Sequence, residues 1–406
     1  MKKKKTKRKV PPLVLAMMVK NERHVIRRAL EPLVPLVSAY VIVDTGSSDD
    51  TIAIAKEVLA SKTGEIVERP WLGYANSRNE LVELARERGE WILLADADEV
   101  FEFSGKVPDL AADAYEFRRT TDALSTAKVA LIRAALPWTY VGEARATLVC
   151  PEEHRIERCE WARIVHYADG AESRRDPFER RRTEAEVLRA ALERDPYDVD
   201  SAFHLARVLR LAGDLEGALL THEHCVRVAE GAEELAFWSL LEIAKIHEQR
   251  MHLAPSTSAE EASIPGLYLR AHAFRPTRPE PLVELARVHR ERAEWAVALL
   301  FASQAVAMPC IEARTHSDRH FVDQAVLDWR ALNEYALAAY YTDRFDEAFA
   351  TWTKVLARLP PQFRAQTEEN LAAVREKVGV PAVAPAPPQR HASPNGAAPL
   401  VEAAPA

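Results

Sequence analysis

The sequence predicts an α/β domain followed by a domain built only of helices. Between residue 13 and about residue 175, short apolar runs typical of strands alternate with helical stretches. From about residue 180 to residue 377 the strands disappear, and helical segments of similar pattern recur. The length of 406 residues and the apolar content of 48% suit a globular protein of two or three domains.

The charge of the chain is unevenly distributed. The formal net charge is -7, which is not typical of a nucleic-acid-binding protein, so we expect no nucleic acid partner. The opening run MKKKKTKRK is nevertheless strongly basic. We interpret residues 1–12 as a disordered basic arm, with contact to anionic lipid or nucleic acid as the alternative.

The apolar runs are too short for a membrane span, since none approaches about 18 residues. The basic arm and the apolar run after it resemble a signal peptide, but charged residues stand where a small-residue cleavage site is expected. The cysteines, at positions 150, 159, 225 and 310, show no C-x-x-C spacing. We therefore expect no integral membrane segment, reduced thiols and a cytoplasmic location.

The predicted strands of the first domain end in polar residues. We predict strands in LVLAMMV, AYVIVDTG, GEIVERPW and WILLADAD, and helices in HVIRRALEPLVPL, DDTIAIAKEVLAS and SRNELVELARERG. Ser48 or Asp49 is the expected N-cap of the second helix, and Gly89 the expected C-cap of the third. The alternation predicts a parallel sheet covered on both faces, with its ligand at the carboxyl ends of the strands.

Two carboxylates follow the buried-looking run WILLA directly. Asp96 and Asp98 have D-x-D spacing, and Asp44 ends a second strand about fifty residues earlier. A hard divalent cation with oxygen ligands explains two acids at a strand end, and Mn²⁺ or Mg²⁺ with substrate phosphates is a common arrangement. D-x-D also occurs by chance in acidic loops, where capping and turn formation are the competing interpretation.

The second half of the chain contains diverged helical repeats. Three segments share small and apolar residues at fixed places, with an alanine in the second helix of each: Ala218, Ala298 and Ala348. Their separations of 80 and 50 residues indicate a tetratricopeptide period of about 34 residues interrupted by insertions. The segments FWSLLEIAKIHEQRM and YLRAHAFRP predict the helices of a further repeat.

These patterns predict four segments. Residues 1–12 form the basic arm, residues 13–178 the α/β domain, residues 179–377 the helical repeat domain and residues 378–406 a tail. The tail is rich in Pro and Ala, which cannot bury a core, so we expect it to be disordered.

Residues 13 to about 105 resemble the nucleotide-sugar-binding half of the inverting family 2 glycosyltransferases, which have the GT-A fold. The matching pieces, in order, are MVKNE, VIVDTGSSDDT, RPW, SRNE and WILLADADE. The resemblance covers most of residues 13–180, and the helical half fits a bacterial branch in which a short catalytic domain precedes tetratricopeptide repeats.

The resemblance implies a metal-dependent, inverting glycosyltransferase with a UDP- or GDP-sugar donor and a protein, peptide or glycan acceptor. It implies that Asp44 holds the nucleotide base or ribose, that Arg78 reaches the diphosphate, and that Asp96 and Asp98 bind the metal and the sugar. Further residues implied for the nucleotide-sugar pocket are Asn21, Glu22, Thr45, Gly46 and Ser47, although the last three also suit a simple turn. The repeats are expected to recruit the acceptor or a partner, or to mediate self-association.

The chain departs from the family downstream of D-x-D. Many relatives carry Y-x-G-x-x-H-E there, and this chain has Tyr140 and Gly142 but Arg145 and Ala146 in place of His and Glu. Glu143 is the substitute candidate for the catalytic base. His166, in IVHYADG, is a further candidate metal ligand.

Two other functions stay open from the sequence. One is a catalytically degenerate protein that keeps its affinity for the sugar nucleotide and acts as a repeat scaffold; the loss of the His-Glu pair motivates it. The other is a nucleotidyltransferase, which also uses strand-end acids and a metal. That class usually has a Gly-rich phosphate loop near the N-terminus, and LVLAMMVKNERHV contains no glycine.

Overall fold

The computed structural model describes residues 13–121, 124–142, 146–253, 257–308 and 321–379. The predicted basic arm, most of the predicted tail, Glu143, Arg145 and Cys310 therefore lie outside the described residues. The other three cysteines are free thiols. No helix within the described ranges is both long enough and apolar enough to cross a membrane.

Strands dominate the first half of the chain and helices the second, as predicted. The strands are β1 Leu13–Val19, β2 Val37–Asp44, β3 Thr63–Glu68, β4 Trp91–Asp96, β5 Glu99–Phe103, β6 Ala114–Thr120, β7 Leu124–Arg133, β8 Thr139–Val141, β9 Thr147–Val149, β10 Ile156–Arg158, β11 Ala162–His166 and β12 Phe321–Asp323. The helices of the first half are α1 Ile26–Leu30, α2 Thr51–Val58 and α3 Tyr74–Arg86.

In the described part of the second half, ten further helices follow. They are α4 Pro177–Arg194, α5 Val199–Leu211, α6 Leu215–Val228, α7 Glu233–Leu253, α8 Ser258–Phe274, α9 Glu280–Glu291, α10 Trp295–Ala307, α11 Ala331–Tyr341, α12 Phe345–Leu356 and α13 Pro361–Val378. A π-helical turn, Val326–Arg330, precedes α11.

The main sheet is mixed, not purely parallel as the strand-helix alternation predicted. Its order is β3-β2-β1-β4-β7-β6-β11-β5, with β10 beside β6 and β12 beside β7. The first four strands are parallel to one another, and β7 pairs antiparallel to both β4 and β6. The difference arises after D-x-D, where β6 and β7 follow each other along the chain as an antiparallel pair and β7 joins them to β4.

The parallel half of the sheet is covered on both faces. Leu13, Leu15 and Met17 of β1 pack in one apolar cluster with α1 and α2, while Val14 and Ala16 pack in another with α3. Side chains alternate between the two faces of a strand, so a continuous apolar run is what a doubly covered strand requires. This packing fixes the register that brings the polar strand ends together.

Some predicted helix boundaries are wrong. Helix α3 begins at Tyr74, three residues before the predicted start, and it ends at Arg86, so Gly89 is not its cap. Helix α2 is preceded by Asp50, while the Asp49 carboxylate accepts a hydrogen bond from the Thr51 backbone. Local turn chemistry therefore shifts both ends by one to three residues.

Each helix from α4 to α12 packs against the next helix along the chain. Helix α7 begins 34 residues after α5, which is the tetratricopeptide spacing, whereas later repeats are more widely spaced. Helices α7 and α8 are the predicted further repeat. The three alanines predicted at equivalent positions are all buried, which is consistent with close helix contact at small residues.

Candidate functional site

Two predicted site residues end neighbouring strands at the same edge of the sheet. Asp96 lies opposite Met18 of β1, and Asp44 lies opposite Val19 on the other side of β1. Strand β1 lies between them, so the backbones of Asp44 and Asp96 are two inter-strand spacings, or about 10 Å, apart. The sheet register thus brings together residues that are 52 positions apart in sequence.

Asp96 belongs to a network of five charged side chains. Arg78 Nη2 lies 3.0 Å from Asp96 Oδ1, and Lys128 Nζ lies 2.7 Å from Asp96 Oδ2. Lys128 Nζ also lies 2.6 Å from Glu99 Oε2, and Arg119 Nε donates to Glu99 Oε1 at 2.6 Å. Glu99 is fully buried. Both oxygens of Asp96 are thus engaged by protein cations.

The network carries three positive and two negative charges. Burial alone would raise the pKa of Asp96, but Lys128 and Arg78 hold that pKa far below its usual range. Burial alone would lower the pKa of Lys128, whereas the carboxylates of Asp96 and Glu99 raise it. Asp96 also raises the pKa of Arg78. All three groups therefore stay charged at neutral pH, and the net charge of +1 favours an anionic ligand.

Asp98 points to a different group of residues. Its Oδ2 lies 3.1 Å from Nε2 of His166, and a Cβ added to Gly170 would lie 3.1 Å from the same oxygen. The buried Nδ1 of His166 has no hydrogen-bond partner among the residues that the structure describes. Glycine at position 170 therefore keeps the space beside the Asp98 carboxylate free of a side chain.

Asp98 Oδ2 and His166 Nε2 are within hydrogen-bond distance of each other, and the same spacing suits two ligands of one divalent cation. Two ligands at right angles around a cation with bonds of about 2.1 Å lie about 3 Å apart, which matches their spacing. The oxygens of Asp96 already accept hydrogen bonds from Arg78 and Lys128, so a cation bound there would share them with two protein cations. In the described part of the chain, no three His, Cys, Asp or Glu side chains are grouped as a metal site. Substrate phosphates would have to complete the coordination.

The ends of β1 and β2 are joined by a hydrogen-bonded turn. The carboxylate of Asp44 accepts hydrogen bonds from the backbone N–H and the hydroxyl of Ser47, and Thr45 N donates to the Val19 carbonyl. Gly46 has a φ of 99°, which favours glycine. Asn21 N donates to Ser47 Oγ. The residues predicted for the nucleotide-sugar pocket on this turn therefore lie together. Four of them also form the turn itself: Asp44, Thr45, Gly46 and Ser47.

A segment after β11, residues 167–174, contacts two of the site residues. Tyr167 N donates to the Asp98 carbonyl at 3.1 Å, and Ala171 N donates to Glu22 Oε2 at 2.9 Å. Burial raises the pKa of Glu22 in spite of that hydrogen bond. Arg28 forms two hydrogen bonds with Asp169, which fixes the middle of the segment. The contact of this segment with Glu22 and Asp98 was not predicted.

A small cavity opens beside the charged network. Its polar lining consists of Arg78, Asp96, Lys128 and Tyr140. Asn79 fixes Tyr140 in place, because its side chain accepts from Tyr140 N at 2.6 Å and donates to the Tyr140 carbonyl at 2.9 Å. Strand β8 therefore lies beside the cavity, and Glu143 follows it by two residues outside the described ranges.

An aromatic pair lies at the start of α3. Trp71, which the resemblance includes, packs edge-to-face on Tyr74 with ring centroids 4.8 Å apart. Trp71 remains 45% exposed. Tyr74 precedes Arg78 by one helical turn, so the exposed pair lies on the helix that carries the Asp96 partner.

Lys128 and Arg119 are site residues that the sequence analysis missed. Both lie on strands that follow D-x-D, in the runs LSTAKVALIR and AYEFRRT. A lysine in a strand that otherwise carries small and apolar residues is a signal of a buried partner. The sequence alone does not identify Asp96 and Glu99 as that partner.

The comparison with protein families agrees with this geometry. Residues 15–126 match the family model described as Glycosyl transferase family 2. This stretch is a family 2 glycosyltransferase domain. It contains the strand ends with Asp44 and Asp96, the D-x-D pair and Arg78. The match ends before Lys128, in the first residues of β7.

Two relatives match short stretches of this chain. An uncharacterized glycosyltransferase from Rickettsia felis is 38% identical over 80 residues, which is 20% of this chain and 26% of that protein. A TPR repeat-containing protein from Synechococcus elongatus is 35% identical over 86 residues, or 21% of this chain and 20% of that protein. The alignments thus span about a quarter or less of these relatives.

A solved structure of a thermophilic TPR protein from Thermus thermophilus covers 48% of this chain and 91% of its own, with 16% identity and a TM-score of 0.33. The prediction of a glycosyltransferase domain of family 2 followed by tetratricopeptide-like helices is confirmed.

Proposed function

We propose that the protein transfers a sugar from a nucleotide-diphosphate sugar, with UDP or GDP as the nucleotide, to a protein, peptide or glycan acceptor. The observation that supports this most strongly is the convergence of Asp44, Glu22, Arg78 and the D-x-D pair at one edge of the parallel part of the sheet. Ligands of such sheets bind at the carboxyl ends of the strands. The family match over residues 15–126 supports the same reaction.

The donor nucleotide is proposed to bind over the ends of β1 and β2. Asp44, Asn21 and Glu22 would contact the base or ribose, and the turn Thr45–Ser47 would line the same pocket. An ionised carboxylate has about four lone-pair positions, so Asp44 can hold its turn and still accept from a ligand. Arg78 would bind the diphosphate, since a guanidinium matches phosphate geometry and its network carries a net positive charge.

A divalent cation, Mn²⁺ or Mg²⁺, is proposed to bind at Asp98 and His166. When bound, it would neutralise charge on the leaving diphosphate. Asp96 is proposed to act on the donor sugar and to orient Arg78 and Lys128, because its oxygens already accept from both. This assignment separates the two carboxylates of D-x-D by role.

Glu143 is proposed as the base that removes the proton of the acceptor hydroxyl or thiol. The acceptor would then attack the anomeric carbon in line with the leaving diphosphate, which inverts the configuration. The position of Tyr140 in the cavity wall supports this assignment, because Glu143 follows it by three residues. The helical repeats are proposed to recruit the acceptor or a partner, or to mediate self-association.

The alternative function is a catalytically degenerate protein that binds the sugar nucleotide and acts as a scaffold. The replacement of the expected His-Glu pair by Arg145 and Ala146 favours it. Turnover separates the two functions, because both require donor binding.

A screen of nucleotide sugars tests the proposal. Thermal unfolding is measured for each donor with and without Mn²⁺, since a ligand that binds only the native state raises the apparent stability. The stabilising donor is then incubated with the protein, and the released nucleotide is quantified. We expect stabilisation by one donor class and slow hydrolysis. Stabilisation without release favours the scaffold, and the lack of any stabilisation contradicts both functions.

A further inference from the structure

One strand of the catalytic sheet comes from the helical half of the chain. Strand β12, Phe321–Asp323, pairs antiparallel with the start of β7, and Val322 lies opposite Ser125. It follows α10 and precedes the π-helical turn, so it belongs to the repeat region. Val322 is 1% exposed and Ser125 is 4% exposed, which makes this pairing a buried junction between the two halves.

The register determines where β12 lies relative to the site. Strand β6 occupies one edge of β7, so β4 and β12 share the other edge. On that edge β4 pairs with residues 131–133 and β12 with residues 124–126. Lys128 lies in the interval between them. Because both strands run antiparallel to β7, β12 continues the line of β4 just beyond D-x-D.

A chain of ion pairs anchors β12 to the helices. Asp323 Oδ2 lies 3.3 Å from Arg330 Nη1, and Arg330 Nη2 lies 2.6 Å from Glu284 Oε1 on α9. Glu284 also accepts from Arg287 at 2.8 Å, and Arg287 donates to Glu248 on α7 at 2.7 Å. These side chains are mostly buried, so β12 is held by α7 and α9 together.

We propose that the helical region builds one side of the catalytic site: β12 is a positioning element that holds β7, and with it Lys128, against Asp96 and Glu99. A strand added to an open sheet edge restrains the backbone of its neighbour through ladder hydrogen bonds. The three pairs of β12 begin two residues from Lys128 along β7, or about 7 Å. The helical region therefore acts on the site in direct contact with its sheet.

The choice of a nucleotide as the ligand rests on the proposed function, whereas the pairing of β12 with β7 does not. The pairing is tested by a disulfide between Ser125→Cys and Val322→Cys in a Cys310→Ser background. Directly opposed residues of an antiparallel pair have Cα atoms about 4.5–5.5 Å apart, within the range for a disulfide. The matched control combines Ser125→Cys with Val374→Cys, whose second position is buried in α13.

We expect the first pair to form an intramolecular disulfide under mild oxidation, with faster migration on a non-reducing gel that reductant reverses. The control pair is expected to remain reduced. Equal behaviour of the two pairs, or no disulfide in the first, overturns the proposed junction.

The positioning role is tested by nucleotide affinity in the full-length chain. Val322→Asp introduces a charge at the junction, Val322→Ile preserves its apolar character, and Val374→Asp introduces the same charge far from the sheet. Binding of UDP and of GDP is measured by calorimetry with Mn²⁺. We expect Val322→Asp to weaken the affinity about tenfold, and both other variants to stay within about twofold of wild type.

A double variant separates positioning from general destabilisation. If β12 acts through Lys128, the double variant Lys128→Met/Val322→Asp should bind the nucleotide almost as tightly as Lys128→Met alone. Additive losses, or wild-type affinity in Val322→Asp, overturn the positioning role. If wild type binds neither nucleotide but the disulfide forms, the proposed function fails and the junction stands.

Discussion

The ammonium of Lys128 lies 2.7 Å from Asp96 Oδ2 and 2.6 Å from Glu99 Oε2. The buried strand β4 can therefore run directly into carboxylates, because protein cations pair with both of them. Buried charges are tolerated when they are paired and hydrogen-bonded. The D-x-D pair is thus divided, with Asp96 inside a protein ion network and Asp98 beside His166.

Replacement of Lys128 by Met should destabilise the fold. The variant leaves Asp96 and Glu99 with one cationic partner each and removes two charge-assisted hydrogen bonds, so we expect a loss of roughly 2 kcal/mol in the free energy of unfolding. Urea denaturation measures it. Lys56→Met, at an exposed position of α2, is the control and should change stability little. Equal effects of both variants would contradict a buried role for Lys128.

Asp98→Ala should remove the Mn²⁺-dependent part of nucleotide-diphosphate affinity while the fold stays intact. Asp96→Ala should reduce the Mn²⁺-dependent affinity less than Asp98→Ala does. It should lower the free energy of unfolding more, because Arg78 and Lys128 both lose the carboxylate that they share. Calorimetry with and without Mn²⁺, together with thermal unfolding, distinguishes the two variants. The same Mn²⁺ dependence in wild type and in Asp98→Ala would rule out Asp98 as a ligand.

Glu143→Gln should abolish transfer and preserve donor binding. A general base contributes about 10²–10⁴-fold to the rate, and the amide keeps the size of the side chain. The experiment compares released nucleotide and product in the presence of an acceptor, with nucleotide affinity as the control. Wild-type turnover in this variant would mean that the base is elsewhere in the chain.

Acid should weaken the helical half through His222. Burial lowers the pKa of His222 from 6.5 to about 4, while its Nδ1 pairs with Ser239 Oγ at 3.0 Å. Between pH 6.5 and pH 4, the unfolded chain therefore binds more protons at His222 than the folded chain does. The contribution of His222 to the free energy of unfolding is present in full above pH 6.5 and is lost as the pH falls toward 4. We expect a loss of about 2 kcal/mol between pH 7 and pH 5.

The variant His222→Gln tests this origin. It should flatten the pH dependence of the urea midpoint, followed by far-UV circular dichroism. His224→Gln, on the same helix, serves as the control and should retain the slope of wild type. A slope unchanged by His222→Gln would show that other groups cause the acid sensitivity.

Much of the fold and part of the site could be predicted from local patterns. Apolar runs that end in polar residues predicted β1, β2 and β4, and the family resemblance identified Asp44, Arg78, Asp96 and Asp98 as candidates. These features are local, since a strand end and its turn are encoded within about ten residues. The antiparallel pairing of β7 with β4 and β6 was missed, because in the described residues no helix lies between these strands to mark them as separate elements.

The sequence by itself determined which side chains stand at the ends of the parallel strands, because the alternation of strand and helix requires one common edge. Only the tertiary structure decided what they contact. Lys128 meets Asp96 through the pairing of β4 with β7, and Val322 meets Ser125 across 197 positions. Such pairs depend on sheet register and on the docking of the helices, which are set by the burial of whole faces and not by any short stretch of sequence.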